Sequence, residues 1–472
     1  MNLHLAVLSA YSLGLMALGL WIGRRVRTSA DFFIAGRQLG PGLIFSTMLA
    51  ANIGAGSTVS ATAQGYLQGV AAWWWVGSAA IGSAVLAFWI GPAMRQVAAR
   101  HDLRSVGDYL EFRYSLSVRT IISVLLWIGT TFILASQLIG LAMILSVVAG
   151  VPVPVGCAVG GTVITVYFIA GGLLTSARVN VVQLAVKMAG FAIAVPVILT
   201  AAGGWSGLRH VQADDAAYWT FWRADVAAGY LFAYAPAFVI SPGLLQKVLG
   251  ARDDRAVRVG VGLNALGLLI YAGVPVVLGI ACRGLFGPLA DSQQALPTVL
   301  VKGLPPLLGA IGVAAVFSAE ISAADAVLLM LTTSLSRDLY KRFVAPEASD
   351  ASVLAVARWA TLAGAVMGVT LAITSASIVT LLTIFYTLLT VSLFVPIVAG
   401  LTVPSTTARD ALASIFAGVS GMLIIQFATH GRGWGLVTPA LGGLIAAVAA
   451  WAISSSTGAP HVVVVSDRRH RR

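Results

Sequence analysis

The chain has 472 residues, of which 58% are hydrophobic and only 10% are charged. Because a soluble domain carries about 25% charged residues, this composition excludes an ordinary soluble protein and indicates an integral membrane protein. The only two cysteines, Cys157 and Cys282, have no spacing typical of a disulfide framework or a metal site.

Hydrophobic segments of about 20 residues, the length that a helix needs to cross a bilayer, recur along the whole chain. We predict thirteen membrane spans and number them in chain order. They cover residues 5–23, 41–63, 71–94, 120–148, 153–173, 180–201, 225–246, 259–282, 306–333, 355–375, 378–402, 410–429 and 436–454.

Basic residues set the predicted orientation. Span 1 has no basic residue before it and Arg24, Arg25 and Arg27 behind it, the reverse of a signal peptide, so we expect the N-terminus outside. Thirteen spans then place the C-terminus, with a basic tail from Ser455, in the cytoplasm. This puts 23 of the 29 Lys and Arg residues in cytoplasmic segments and five outside, as the positive-inside rule predicts. The net charge of +12 is therefore interpreted as contact with anionic lipid at the plasma (inner) membrane, and no nucleic-acid partner is predicted.

The order of the spans predicts two inverted units. The five-helix unit of spans 2–6 begins on the inside, whereas the five-helix unit of spans 7–11 begins on the outside. Paired five-helix units of opposite orientation are typical of transporters whose site lies between the first helices of the two units, near the bilayer midplane. The predicted division is an extra helix and loop in residues 1–38, a first unit in 39–202, a second unit in 203–404, and two C-terminal helices with the tail in 405–472.

Four segments carry a family resemblance. They are Asp31-Phe32-Phe33-Ile34-Ala35-Gly36-Arg37-Gln38-Leu39-Gly40 before span 2, Leu49-Ala50-Ala51-Asn52-Ile53-Gly54-Ala55-Gly56 within it, Gln246-Lys247-Val248-Leu249-Gly250-Ala251-Arg252 after span 7, and Ile321-Ser322-Ala323-Ala324-Asp325 in span 9, followed by Ser336-Arg337-Asp338-Leu339-Tyr340-Lys341.

In this order and spacing the four segments resemble the sodium:solute symporter family, the group of the sodium–glucose and sodium–proline carriers. The resemblance covers roughly residues 5–430. It implies an all-α, LeuT-type 5+5 inverted repeat with one extra N-terminal and two extra C-terminal helices. It also implies secondary active transport of a small organic solute by alternating access.

Span 2 looks like a site on physical grounds as well. Between Ala50 and Thr62 it is rich in small and polar residues. Each glycine weakens a helix by about 1 kcal/mol, and freed carbonyls that line a cavity can coordinate a cation. The alternative is that these small residues only permit tight helix packing.

The resemblance implies a sodium site. Its ligands would be backbone oxygens of Ala50 and Ile53 in span 2, a backbone oxygen of Ala319 in span 9, and two adjacent hydroxyls. The positions that match the hydroxyls are Ser322 and Ala323, so one hydroxyl is missing. A family aspartate at the start of span 6 is matched by Asn180. Both departures remove oxygen or negative charge, which leaves sodium coupling open.

Two charged residues fall near the same place. Lys187 lies about two turns beyond Asn180 on nearly the same helix face, and Glu320 neighbours Ala319. Ionisable residues inside membrane spans are costly and functional by default. The hypothesis is that Lys187 replaces the sodium ion, with Glu320 as candidate counter-charge, which makes the carrier proton-coupled or uncoupled. The alternatives are a snorkelling lysine, a structural ion pair, or contact with the substrate; Asp325 is interpreted as a packing or pathway residue.

Candidate substrate contacts share a polar or small side chain at mid-span depth, and helix packing remains the alternative for each. They are Asn52, Gly56 and Ser57 in span 2, Ser136 and Gln137 in span 4, Tyr234 and Ser241 in span 7, and Tyr386 and Thr387 in span 11. Gly56 and Ser57 stand where the family's sugar carriers have polar contacts, so a polyhydroxylated sugar is not favoured. Pro236 and Pro242 predict a broken span 7.

Other function classes fit less well. A channel or uncoupled facilitator with the same fold is the main alternative. The sequence shows no nucleophile–base constellation, phosphate-binding loop or metal cluster, so an enzyme is not predicted. No cofactor is expected beyond Na+ or H+ as coupling ion, and the expected partners are a small-molecule solute and the lipid bilayer. The oligomeric state stays open.

Overall fold

The computed structural model describes residues 3–24, 29–211, 215–375, 377–431 and 433–457. Within these ranges it is helical, and its only extended pairings are two isolated bridges. From span 1 to span 13 the helices are Leu3–Gly23; Pro41–Asn52, Gly56–Ser60 and Ala61–Gln68; Trp73–Val85, Leu86–Ile90 and Gly91–Arg100; Leu116–Ala149; Val153–Ala201 for spans 5 and 6 together; Ala224–Ile240 and Pro242–Leu249; Asp254–Tyr271 and Gly273–Phe286; Pro306–Thr333 and Ser334–Val344; Asp350–Thr374; Ile378–Thr402; Ala408–Ala428; and Pro439–Thr457.

Shorter helices lie between the spans. They are Ser29–Ile34, Ala35–Arg37, Gly69–Ala72, Val106–Arg113, Gly204–Arg209, Ala216–Trp219, Ser292–Gln294 and Ala295–Lys302. The last two lie in the loop between spans 8 and 9. Residues 458–472 of the predicted basic tail, together with Arg25 and Arg27, lie outside the described residues.

Every predicted span falls on a helix, and eleven helices of the described ranges are long and apolar enough to cross a membrane. The count differs from thirteen for two reasons. Val153–Val166 is apolar but short, and Gly56–Arg100 forms one continuous helical stretch. The chain nevertheless reverses inside that stretch at Gly69, whose φ of +68° is open to glycine but rarely to other residues.

Packing against span 8 shows the reversal. Gly65 of span 2 packs on the backbone of Val276, whereas Gly91 of span 3 packs on Val257, near the opposite end of span 8. Span 2 therefore runs parallel to span 8, and span 3 runs antiparallel to it. Span 3 also packs on span 7, where Gly82 contacts the backbone of Ala235. Spans 2, 3, 7 and 8 form a four-helix bundle, in which the first two helices of one unit pack against the first two helices of the other.

The first helix of each unit is broken at mid-depth. Span 2 leaves helical geometry at Ile53, whose ψ is 89°. Span 7 breaks at Ser241, whose ψ is 121°, because Pro242 has no N–H and forces the preceding residue out of the helical region. Pro236, in contrast, lies inside the continuous helix Ala224–Ile240. The predicted break of span 7 is therefore caused by Pro242.

The segment before span 2 anchors the fold. Phe32 and Phe33 have no exposed surface, and Phe32 packs against Gly172. At Gly172 the chain bends between spans 5 and 6 with a φ of +52°, which glycine tolerates without strain. A family motif that precedes the site is therefore explained by packing. The proposed boundaries of the units and the orientation of the two termini stay predictions.

Candidate cation position and solute cavity

The break in span 2 exposes main-chain groups to span 4 and span 9. Gly54 lies so close to span 9 that a Cβ there would be 2.3 Å from the Ala323 Cβ. The Ala55 N–H donates to Gln137 Oε1 over 2.8 Å, and the Gly54 N–H donates to Ser57 Oγ over 3.1 Å. The break is thus held by side chains that replace the lost helical hydrogen bonds, and the Ala50 and Ile53 carbonyls remain available to other side chains.

The Lys187 side chain points at those carbonyls and has no exposed surface. Its Nζ donates to the Ala50 carbonyl over 2.7 Å, to the Ile53 carbonyl over 3.3 Å and to Ser322 Oγ over 2.6 Å. An ammonium has three N–H donors, so the three acceptors use all of them. Lys187 thereby ties span 6 to span 2 and span 9.

Ser322 and Ala323 differ in what they contribute. Ser322 Oγ lies 2.7 Å from the Ala50 carbonyl and 3.0 Å from the Ala319 carbonyl, besides accepting from Lys187. Ala323 has no oxygen to offer, and its Cβ packs beside Gly54. The four oxygen-bearing positions implied by the resemblance therefore gather around one buried point, and an ammonium is bonded there.

Glu320 binds a different part of span 2. Its Oε1 accepts a hydrogen bond of 2.7 Å from Thr58 Oγ1, which also lies 2.9 Å from the Gly54 carbonyl. The carboxyl is fully buried, and it fits because Gly140 in span 4 has no side chain: a Cβ there would lie 2.9 Å from Oε2. Among the described residues no direct ion pair joins Glu320 to Lys187, although the two are close enough to interact electrostatically.

Asn180 belongs to a second polar cluster. Its Nδ2 donates to Thr47 Oγ1 over 2.9 Å, and the Thr47 carbonyl accepts a 2.9 Å hydrogen bond from Lys247 Nζ. Ser176, one turn from Asn180, lies 3.4 Å from Asp325. Asp325 and Lys247 are both buried. The sequence analysis did not identify Lys247 as part of this cluster, because a basic residue at the end of a span is normally interpreted as part of a cytoplasmic loop. Its position in the Gln246–Arg252 motif was the one feature of the sequence that could have indicated a role.

A cavity lies between the breaks of spans 2 and 7. About 70 Å³ of it is open to the centres of water molecules. Seven of the nine predicted substrate contacts line it, and they are Asn52, Gly56, Ser57, Gln137, Tyr234, Ser241 and Tyr386. Ser136 and Thr387 do not line it. The Ser136 Oγ instead donates a hydrogen bond to the Ile133 carbonyl within its own helix. No Asp, Glu, Lys, Arg or His occurs among the described residues that line the cavity.

Aromatic rings form much of the cavity wall. Trp75, Tyr234, Phe238, Phe385 and Tyr386 all line it. The Trp75 and Tyr234 rings are 4.9 Å apart at 56°, and the Tyr234 and Tyr386 rings are 4.9 Å apart at 88°. Of the three consecutive tryptophans, Trp75 is buried in the cavity wall, while Trp73 and Trp74 pack on Phe221.

Comparison with known proteins agrees with this architecture. The model of the sodium:solute symporter family matches residues 32–418. The sodium/pantothenate symporter of Escherichia coli K12 is 24% identical over 361 residues, which cover 71% of each chain. The high-affinity choline transporter 1 of Caenorhabditis elegans is 22% identical over 448 residues, covering 87% of this chain and 75% of that one.

Solved structures show the same fold. A substrate-bound, outward-open Na+-coupled sialic acid symporter superposes with a TM-score of 0.84 at 19% identity over 98% of both chains. Mhp1, a nucleobase-cation-symport-1 family transporter, superposes with a TM-score of 0.62 at 14% identity over 92% of this chain and 96% of the other. The LeuT-type arrangement expected from the sequence is thereby confirmed. The chain belongs to the sodium:solute symporter family, and it is a multi-pass membrane protein that carries out secondary active transport of a solute.

Proposed function

We propose that this carrier moves a small organic solute without binding sodium at the family position, because the Lys187 ammonium occupies that position permanently. The observation that supports the proposal is the set of three hydrogen bonds from Lys187 Nζ to the Ala50 and Ile53 carbonyls and to Ser322 Oγ. A cation of the chain itself takes the place of a cation from solution.

The alternatives for Lys187 fit the geometry less well. A snorkelling lysine keeps its ammonium in water, whereas this side chain is fully buried. A substrate ligand would line the cavity, and Lys187 does not. A purely structural ion pair with Glu320 would require direct contact, which the described residues do not show. Replacement of the ion uses every donor of the ammonium and three of the oxygens that the family resemblance implies.

The driving force follows from this replacement. With no sodium ion at the family position, secondary active transport needs another driving ion, and a proton is the one that we propose; an uncoupled facilitator, driven by the gradient of the solute itself, is the alternative. The curated relatives include carriers named for pantothenate and for choline, which supports an organic solute. The positive-inside distribution of Lys and Arg supports an outside N-terminus and a cytoplasmic C-terminus in the plasma membrane.

The test of sodium independence needs no knowledge of the solute. Purified wild-type protein is titrated with NaCl and with KCl at constant ionic strength, and its melting temperature and its binding of radioactive sodium are measured. We expect no sodium-specific rise in melting temperature and no saturable sodium binding. Since a ligand stabilises the native state by RT ln(1 + [L]/Kd), saturable sodium binding with a matching thermal shift would overturn the proposal.

Two variants complete this experiment. Lys187→Ala removes the ammonium from the cation position, whereas Lys302→Ala removes an exposed lysine and is the matched control. Only Lys187→Ala is expected to change the response to sodium. Orientation is tested separately with tags at the two ends of the chain, and finding both tags on one side of the membrane would contradict the predicted topology.

A further inference from the structure

The central cavity has a chemical character that narrows the substrate class. We propose that it takes a small quaternary ammonium compound, an onium headgroup of choline size with one short polar tail. This inference rests on the proposed transport function, because it identifies the solute of the same central site. It uses the walls of the cavity and does not depend on the coupling ion.

The cavity offers few free polar groups. Ser57 Oγ lies within hydrogen-bond distance of the Asn52 and Gly54 carbonyls, and Asn52 Nδ2 donates to Asn264. Gln137 Oε1 accepts from the Ala55 N–H. These side chains hold the broken helix in place and are therefore occupied. Polar capacity toward a solute is limited to a few atoms.

A few polar side-chain atoms on residues that line the cavity make no hydrogen bond to the described residues. They are the hydroxyls of Ser241 and Tyr386, the amide nitrogen of Gln137, the amide oxygen of Asn52 and the indole nitrogen of Trp75. So small a set satisfies one alcohol or ether oxygen well. It does not satisfy the many hydroxyls of a sugar, whose unpaired donors and acceptors would each be costly when buried.

The charge of the solute follows by elimination. An anion would need a basic partner, because burying an isolated charge is very costly, and the described lining has no Lys, Arg or His. A primary ammonium would need three hydrogen-bond acceptors that converge on one point, and no carboxylate lines the described cavity to pair with it. A quaternary ammonium has no N–H group to satisfy, and aromatic rings attract it through their quadrupoles.

The aromatic wall is built for such a group. Trp75, Tyr234 and Tyr386 follow one another at ring distances of 4.9 Å and at steep angles, and Phe385 lies 5.0 Å from Tyr386 at 61°. At these distances the rings pack edge to face on one another, and together they form a continuous aromatic wall against which a headgroup in the cavity can lie. Lys187 and Glu320, which carry opposite formal charges, do not line this space. The size of the cavity also suits a headgroup of choline size. About 70 Å³ is open to the centres of water molecules, and at about 10–15 Å³ for each water this space holds roughly five to seven water-sized atoms.

Three solutes of one shape test the proposal. Radiolabelled choline is bound to purified full-length protein in sodium-free potassium buffer and is displaced by unlabelled choline, by neutral 3,3-dimethyl-1-butanol or by anionic 3,3-dimethylbutyrate. We expect saturable choline binding and an affinity about tenfold or more above that of the neutral isostere, as cation–π attraction in a desolvated site provides. The anion should compete least.

Variants locate the binding to the aromatic wall. Tyr386→Leu should weaken choline binding about tenfold or more, while Tyr386→Phe keeps the ring and should restore most of the loss. Trp359→Leu, which changes a tryptophan that is 71% exposed, controls for general effects on stability. If Tyr386→Leu does not fold, Phe385→Leu provides the same comparison from the neighbouring ring.

The outcomes separate this inference from the sodium proposal. Absence of choline binding, or equal binding of the neutral isostere, overturns the onium assignment whatever the role of Lys187. Choline binding that appears only when sodium is added overturns sodium independence and leaves the onium assignment standing. Unchanged choline affinity in a folded Tyr386→Leu protein shows that the solute binds elsewhere and overturns the inference.

Discussion

Lys187 Nζ and Ser322 Oγ lie 2.6 Å apart at a point where neither has any exposed surface. A charge-assisted hydrogen bond of this length joins span 6 to span 9, and the same hydroxyl lies 2.7 Å from the Ala50 carbonyl of span 2. Three helices therefore meet on one side-chain ammonium. The Lys187 side chain therefore links spans 2, 6 and 9 at one buried point.

The first prediction concerns reversal of that replacement. In Lys187→Ala combined with Ala323→Ser, the ammonium is gone and the missing hydroxyl is restored beside Ser322. We expect the double variant to gain a sodium-specific rise in melting temperature that wild type lacks, because carbonyl and hydroxyl oxygens are then free to bind the ion. Ala323→Ser alone should show no such rise, since Lys187 still occupies the position.

The cost of the single change is predicted too. Lys187→Ala leaves the Ala50 and Ile53 carbonyls buried without their donor, and a buried unsatisfied group costs about 1–3 kcal/mol. The variant should therefore melt lower than wild type in potassium buffer, and sodium should recover part of the loss. A folded double variant that ignores sodium at all concentrations would contradict the assignment of these oxygens as a cation position.

Much of this architecture is predictable from sequence, for physical reasons. Span positions follow from apolar length, because only a helix satisfies its own backbone in lipid. The meeting of Lys187 with Ala50 was predictable because the family resemblance supplied the partner positions. The cavity role of Trp75 was not, since the three consecutive tryptophans point in different directions around a helix and composition alone does not say which one faces inward.

Lys247 shows the other limit of sequence reasoning. It ends an apolar span, where a lysine normally reaches water, yet it is 1% exposed and bonds to the Thr47 carbonyl. That carbonyl belongs to a helix 200 residues earlier in the chain. No local pattern predicts such a partner, because the contact depends on how the two inverted units pack together.

The second prediction concerns Gly54. A methyl group there would lie 2.3 Å from the Ala323 Cβ and 2.7 Å from Gln137 Oε1, distances that force span 2 away from spans 4 and 9. Gly54→Ala should lower stability by about 1–3 kcal/mol, as overpacking does, and should weaken binding in the central cavity. Gly42→Ala is the control, since a Cβ at Gly42 meets nothing within 4 Å and alanine favours a helix. Equal melting temperatures for the two variants would contradict the close packing at Gly54.

A cluster of charges joins several helices on the side of the molecule that we predict to be cytoplasmic. Arg119 at the start of span 4 pairs with Asp338 over 2.8 Å, with Asp108 over 3.2 Å and with Glu111 over 2.7 Å. Arg337 pairs with Asp108 over 3.1 Å. The helix Val106–Arg113 is thus fixed to spans 4 and 9, above a residual space of about 20 Å³ between spans 4, 7 and 9.

The third prediction concerns a closing role for that cluster. Asp338→Ala removes one partner of a buried ion pair, a change that costs about 3–5 kcal/mol, and should favour the state that is open to the cytoplasm. A cysteine at Thr333, which lines the residual space, should then react faster with a hydrophilic maleimide in a protein whose two native cysteines are replaced. Asp102→Ala is the control, because Asp102 is 69% exposed in its pair with Arg37 and exposed pairs contribute little. Equal labelling rates would contradict a closing role for the cluster.

The fourth prediction is a pH dependence of the same cluster. Burial disfavours the charged form of Asp108, but the guanidiniums of Arg337 and Arg119 outweigh it and hold the pKa of Asp108 below its ordinary value. A carboxyl whose pKa is lowered by folding contributes stability that is complete above its unfolded value, about 3.9, and is lost as the pH falls through the folded value. Protein melting should therefore not respond to this group between about pH 6 and 8 and should respond below about pH 4. Asp108→Asn should melt lower than wild type at neutral pH, and the difference should shrink in acid as the wild-type carboxyl takes up its proton. A difference that is constant from neutral to acid pH would show that Asp108 does not act through its charge.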